Sequence, residues 1–427
     1  MHDCGFSSFN NLYNMIEGMR SSLIPLRASI EFSGHWLKDH RNPIHNTGLS
    51  HVMLSYLILA ERLTRTYKKP AFNITECAVD KKLYHVDEKV ILSKTFCQLK
   101  HFSKVGFKQT LPKLLIVAPM AGHHATLLRE TVRELLPYCD VYITDWVDAS
   151  KVPNKLGSFS LDDFINYLIE FMTLLGPNVH TVAVCQPTIP LLAAISIMSE
   201  KNDPNVPNSM ILMGGPIDAR QSPTKVDVLA LDKSMEWFHQ MMATEAPINY
   251  PGYGRDIYPG ILQLIGFISL NVPRHINSHL DLLQNLLDGN IEKANHTIKF
   301  YDEYLASMDM SAEFYLETIQ KVFKEFALAK DEFTSNGRKV SLKHITKCAL
   351  LGIEAENDDI AAVGQTKSAL EMCSGIPKSM KQYHLQEGAG HYGLFSGSKF
   401  KEFIVPVMTD FINKHDKAKV VTKKQAS

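Results

Sequence analysis

The chain has 427 residues, 45% hydrophobic and 21% charged, a balance that fits a globular protein with a large core and room for a second subdomain. Its 45 basic and 45 acidic side chains cancel, which excludes a general electrostatic attraction to nucleic acid or to an anionic membrane. The opening stretch MHDCGFSSFNNLYNMIEGMR has no basic segment followed by an apolar run, and no apolar run of about 18 residues follows. The chain is therefore expected in the cytosol, without a transmembrane segment. Seven cysteines at wide, irregular spacings, with no C-x-x-C pair, are expected to be reduced thiols.

In chain order, residues 1–75 read as an N-terminal helical arm. NLYNMIEGMRSSLIPLRASIEF and LSHVMLSYLILAERLTRTY carry apolar residues at helical spacing, with Pro25 and Asn42-Pro43 as breaks. Between Cys77 and Phe107, short alternating runs around a polar turn predict a hairpin leading into the main sheet. Strand and helix then alternate: KLLIVAP (113–119), a helix over about 125–136, DVYITDW (140–146), a helix over about 161–175, HTVAVC (180–185), another helix, and SMILMGG (209–215). That alternation predicts an α/β fold with a mostly parallel sheet covered by helices on both faces, over 76–217 and 344–415. From Asp218 to Lys343 the pattern changes to long helical stretches rich in Met, Leu, Phe and Tyr. They read as an inserted helical lid, 218–343, over the strand ends. CALLGIEAENDD and KQYHLQEGAGH resume the sheet, KFKEFIVPVMTDFINKH closes it, and 416–427 read as a flexible basic tail.

Cys185 falls between the β-branched run Thr181–Val184 and a helical run that starts near Pro187. A lone cysteine there is more often a small buried hydrophobe than a nucleophile. Two later positions change the balance. Asp358 in EAENDDI and His391 in EGAGHYG each follow a predicted strand, and the order nucleophile, acid, histidine is that of the α/β-hydrolase arrangement. Singly, Asp358 could cap a helix and His391 is one of 18 histidines. Jointly they suit thiol chemistry: the imidazole takes the thiol proton, and the carboxylate fixes the imidazole tautomer. Asp359 is the weaker acid candidate.

Backbone donors for an oxyanion are expected from Gln186, one residue past Cys185, and from Met120 and Ala121 in the loop after the first central strand. His123 and His124 lack a matching ligand spacing, so no metal is expected and His123 is assigned to substrate contact. The turn itself reads Ala183-Val184-Cys185-Gln186-Pro187 and departs from G-x-S-x-G. Ala is small enough for close strand–helix approach, and Pro suits a first helical turn.

Several long segments, among them PMAGHHATLLRETVRELLP, VAVCQP, LMGGPID, FYDEYLASMDMSAEFYLETIQKVF, DDIAAVGQT and GHYGLFSG, make the chain closely resemble the intracellular poly(3-hydroxybutyrate) depolymerases of polyester-storing bacteria, over about 11–413. The resemblance places the family's cysteine nucleophile on Cys185, its aspartate on Asp358 and its histidine on His391. It implies an α/β-hydrolase fold and cleavage of polyhydroxyalkanoate esters by a cysteine acyl-enzyme, giving 3-hydroxybutyrate oligomers or monomer. It implies no cofactor, with coenzyme A as the alternative to water as acyl acceptor. Its partners would be the polymer and the storage-granule surface, in the cytoplasm, with no nucleic acid. Trp237 and Phe238 in the Met-rich insertion are candidate substrate contacts in a segment that is otherwise core. The rivals are a polyhydroxyalkanoate synthase, whose box reads G-x-C-x-G, and a non-catalytic granule-binding protein with a disabled site.

Overall fold

The computed structural model describes residues 6–417, so nearly all of the expected basic tail lies outside the described residues. Its central strands lack the alternation of a half-solvated strand because both of their faces are covered. Strands β1 (Glu76–Val79), β2 (Lys82–Ser93), β3 (Cys97–Lys104), β4 (Lys113–Val117), β5 (Asp140–Trp146), β6 (Val179–Val184), β7 (Ser209–Met213), β8 (Ala349–Ala355) and β9 (Lys381–Gln386) form one sheet. Their order is β1-β2-β3-β5-β4-β6-β7-β8-β9. From β5 to β9 neighbours run parallel, and β1 to β3 join antiparallel. The hairpin expected over 77–107 is thus a three-stranded meander. Its first turn is Asp80-Lys81, both at positive φ (49° and 66°), the backbone of a two-residue hairpin turn without the glycine that usually signals it.

One feature of this order positions the site. β4 lies between β5 and β6, so the chain leaves β4 to one side and returns on the other, opening a crevice at the strand ends between the loops after β4 and β6.

The arm consists of α1 (Phe6–Ser22), α2 (Ile24–Lys38) and α3 (Gly48–Thr64). Of the helices on the sheet, α4 is Arg129–Leu135, preceded by a 3-10 turn, and α5 is Leu161–Leu175, started by a Ser160–Asp163 capping box. Helix α6 (Thr188–Glu200) is buried almost all round, which explains its unbroken apolar run; Pro187 stands just before it.

The lid comprises α7 (Lys225–Asp232), α8 (Met235–Met242), α9 (Gly260–Leu270), α10 (Val272–Leu287), α11 (Ile291–Tyr304) and α12 (Ala312–Thr318), with a ribbon of three short strands. A last helix, α13 (Val405–His415), packs back on α4 and β7. No helix among the described residues is long and apolar enough to cross a membrane.

Arm and lid are tied together. Ile58 and Leu59 of α3 pack on Leu282 and Leu286 of α10, and the buried Arg62 donates to Asp302 Oδ1 (2.8 Å) and to the Ile298 carbonyl (3.0 Å) of α11. On α1, Tyr13 donates its hydroxyl to Asp309 Oδ2 (3.0 Å), whose Oδ1 accepts the Gly260 N–H (2.8 Å) at the start of α9. Burial, and then Asp148 nearby, push the Asp309 carboxyl up to about 6.

Helix α6 approaches the end of β7 so closely that a Cβ on Gly215 would lie 2.0 Å from Thr188 Oγ1. Gly215→Ala is expected to lower stability by about 1–3 kcal/mol through overpacking. Gly266→Ala in α9, where an added methyl meets nothing within 4 Å, should raise it by up to about 1 kcal/mol. Urea midpoints of the two variants check both signs.

Candidate active site

The β6–α6 junction is the sharp turn that the sequence suggests. Cys185 takes φ +65°, a left-handed backbone that a non-glycine residue adopts only when its surroundings enforce it. Here the Cys185 N–H bonds to the Met213 carbonyl (2.8 Å), and its own carbonyl accepts from the Thr188 N–H (3.2 Å) and hydroxyl (2.8 Å). Ala183 supplies the small, fully buried neighbour on the strand. Among the described cysteines Cys185 alone is half-buried, and the other five are buried.

The loops after β8 and β9 bring up the other two groups. Asp358 uses Oδ1 to accept the N–H groups of Ile360 and Ala361 (both 2.9 Å), leaving Oδ2 to meet His391 Nδ1 at 2.7 Å. Asp359 is exposed and lines a neighbouring cavity instead. The two loops are stitched together by Asn357 N to Ala389 O (2.8 Å) and Glu356 N to Gln386 O (3.1 Å), which fixes the carboxylate–imidazole spacing. Gly214 fits against the pair: at φ +54°, a Cβ there would meet Leu394 at 2.6 Å and His391 Cε1 at 3.2 Å.

Burial alone would depress the His391 pKa, but the Asp358 carboxylate and then the Cys185 thiol outweigh it and raise it well above 6.5. With Nδ1 committed to Asp358, the ring is held in one orientation, and Cys185 interacts with it as well. The arrangement can move a proton between thiol and imidazole.

A supporting carboxylate escaped the sequence reading. Glu354, fully buried on β8, accepts the N–H groups of Gly364 (2.9 Å), Thr366 (2.7 Å) and Lys367 (2.8 Å) and the Tyr383 hydroxyl (2.6 Å). Thr366 in turn exchanges hydrogen bonds with the backbone of Gly215. This network shapes the segment that follows Asp358 and anchors it beside β7.

Of the residues expected to supply oxyanion donors, Met120 and Gln186 are in contact. Met120 N–H lies 3.3 Å from Gln186 Oε1, so the loops after β4 and β6 do converge, but the Gln186 side chain takes the Met120 donor. The Gly122 N–H is occupied by Gln263 Oε1 of α9 (2.6 Å), a lid residue with no sequence signal. His123 is buried beside Phe267, Tyr304 and Tyr392. Its Nδ1 is 3.3 Å from the Ala121 carbonyl, and Nε2 makes no well-formed hydrogen bond. Burial pulls its pKa down to about 4, so the ring is neutral near pH 7.

A cavity of about 230 Å³ runs from His391 and Tyr392 between α9, α10 and α11, with Phe267, Phe300, Tyr301 and Tyr304 in its walls. Trp237 and Phe238 are not among its lining residues. Phe238 is the buried centre of a separate small cluster with Ala230 and Ile319, and Trp237 packs against that cluster.

Strand order, a thiol at a strand-to-helix turn after β6, and a histidine–carboxylate pair after β8 and β9 are the arrangement of the α/β-hydrolase fold. Residues 214–416 match the family described as "PHB de-polymerase C-terminus". The match contains Asp358 and His391; Cys185 precedes it. No curated protein matches the chain. Similar solved structures include a meta-cleavage product hydrolase from Pseudomonas fluorescens IP01 (14% identity, 79% of this chain and 97% of that one, TM-score 0.43). Two others are a 2-hydroxy-6-oxo-6-phenylhexa-2,4-dienoate hydrolase from Rhodococcus sp. strain RHA1 (11%, 77% and 99%, 0.44) and a monoacylglycerol lipase of Paleococcus ferrophilus (11%, 72% and 96%, 0.43). Likenesses this low say nothing of substrate.

Replacing Asp358 by Asn removes the charge that raises His391, so burial then dominates and the ring should titrate below 6.5 in the variant and above it in the wild type. The Cε1 shift in a histidine-labelled NMR titration checks this. A raised histidine pKa stabilises the fold fully below about 6.5, and that contribution is lost as pH climbs through the folded-state value. The melting-temperature gap between wild type and Asp358→Asn should therefore be wider at pH 6 than at pH 9.

Proposed function

We propose that the protein is a depolymerase of poly(3-hydroxybutyrate) that works through a Cys185–His391–Asp358 triad. The observation that carries the reading is the half-buried thiol at positive φ, interacting with an imidazole whose far nitrogen is held by a buried carboxylate, in a chain whose residues 214–416 match the PHB depolymerase C-terminus.

In this reading the Cys185 proton passes to His391, and Sγ attacks an ester carbonyl of the polymer. The negative charge that develops on the carbonyl oxygen is met by the Gln186 N–H and by Met120 or Ala121. For Met120 to take part, the Gln186 side chain has to turn away, and the entering carbonyl replaces it as acceptor. Collapse breaks the C–O bond, His391 gives its proton to the leaving alkoxide, and the acyl group stays on sulfur as a thioester. Water then gives up a proton to His391 and adds to the thioester, releasing a free carboxylic acid and restoring the thiol. Coenzyme A in place of water would give an acyl thioester instead.

The cavity beside His391 is lined by aromatic rings together with polar groups such as Asn271, Arg274 and Ser278, a mixture that suits the methyl groups and ester oxygens of a short polyester segment. Neutral His123 is not among the lining residues; it packs against three that are, Phe267, Tyr304 and Tyr392. Trp237 and Phe238 serve the lid's own packing in this account. A chain with this activity meets its substrate on storage granules in the cytoplasm.

Wild type should release soluble 3-hydroxybutyrate from amorphous polymer granules, while Cys185→Ala releases none and melts within a few degrees of wild type. Retained release by the variant would remove Cys185 from the mechanism. Omitting and adding coenzyme A separates the two acceptors, and a polymerisation assay with 3-hydroxybutyryl-coenzyme A tests the synthase alternative.

A further inference from the structure

The arm carries an apolar surface that its own packing does not use. On α3, Leu49, Val52, Met53 and Tyr56 are exposed at i, i+3, i+4 and i+7, one face of the helix. Of the residues that attach α3 to the lid, Ile58 and Arg62 lie on the opposite side of the helix, and Leu59, seven residues after Val52, lies at the border between the two faces. Phe32 and Trp36 stand out from α2, at 73% and 50% exposure, and Met15 and Met19 from α1. Helix α10, on which α3 packs, adds Val272, Ile276 and Leu280 at four-residue intervals. Single exposed hydrophobes need no explanation, but a row along one face of α3, with more on α2 and α10 that pack against it, marks a site of interaction.

We infer that this face is the surface by which the protein seats itself on the solid polyester; the inference rests on the depolymerase reading and adds to it where the insoluble substrate is engaged. Charge favours this occupant. From Gly48 to Ala60 there is no Asp, Glu, Lys or Arg, and residues 6–64 hold five basic against four acidic groups. Several of these are already paired: Arg20 with Glu17, Arg27 with Glu31, and Arg65, just past α3, with Glu61. An anionic lipid surface selects a basic rim around the apolar residues, whereas a neutral polyester asks only for apolar area. Position favours it too. Helix α3 stands on α10 and α11, and those two helices line the cavity that ends at His391. A particle resting on the arm therefore lies beside the helices that lead to the site.

The test is the triple variant Phe32→Ser, Met53→Ser, Tyr56→Ser in the full chain. Sedimentation with amorphous poly(3-hydroxybutyrate) granules, done in the Cys185→Ala background, reads binding without turnover. Hydrolysis of a soluble 3-hydroxybutyrate trimer, with Cys185 present, reads the site alone. The expected result is at least a tenfold loss of granule partition with trimer hydrolysis within twofold of wild type. Unchanged partition overturns the inference. So does equal wild-type binding to phosphatidylcholine vesicles, which would assign the face to lipid. So does a wild-type dimer that the triple variant dissociates while granule binding persists, which would assign it to a second copy. Parallel loss of trimer hydrolysis also overturns it, because the substitutions would then act through the site. Loss of partition in the triple variant, with neither granules nor trimer hydrolysed by wild type, would keep the docking face and sink the depolymerase reading.

Discussion

A thiol held at φ +65° is the constraint around which the other parts are arranged. A left-handed non-glycine residue is unfavourable by about 1–3 kcal/mol, and it survives here because the strand before it and the helix after it are both fixed by burial. That geometry thrusts the side chain out of the sheet, and it also brings α6 hard against β7. Gly214 and Gly215 follow from the same crowding: one leaves room for His391, the other for Thr188. The sulfur, the imidazole and the two glycines are thus solutions to one packing problem, set by six parallel strands with helices on both faces.

The second requirement is a stable platform for the acid. A buried carboxylate such as Glu354 is tolerable only with a full set of donors, and the segment 364–367 supplies three backbone N–H groups that have few other uses. Charge and loop satisfy each other. The result reaches Gly215 through Thr366, so the strand that bears Glu354 and the one that ends beside Cys185 are locked in register by hydrogen bonds as well as by the ladder. Asp358 stands between two such fixed points, which is why its carboxylate can be aimed.

What the amino-acid string revealed divides along physical lines. Parallel strands were legible because burial on both faces leaves continuous apolar runs, and DVYITDW matches β5 residue for residue. Cys185, Asp358 and His391 were legible because the order of strand ends in a doubly covered sheet is itself information. The antiparallel start was read less well, since the Asp80-Lys81 turn carries no glycine. Contacts across long separations left no trace in periodicity: Gln263 capping Gly122, Gln186 reaching Met120, Glu354 gathering a distant loop. Aromatic content pointed to Trp237 and Phe238, yet composition cannot tell a helix pair's private core from a cavity wall. The cavity is made by α9, α10 and α11, whose tyrosines and phenylalanines looked no different in the sequence.

The Asp309 carboxylate joins two things that a domain diagram would keep apart. One oxygen holds the hydroxyl of Tyr13 near the amino end; the other holds the first amide of α9, the helix that supplies Gln263 to the loop after β4 and Phe267 to the cavity. Trimming the arm would thus not give a simpler enzyme. It would strip a partner from a carboxyl group already reluctant to ionise and uncover Leu282 and Leu286. The damage would surface more than two hundred residues downstream, in how firmly α9 sits over the crevice.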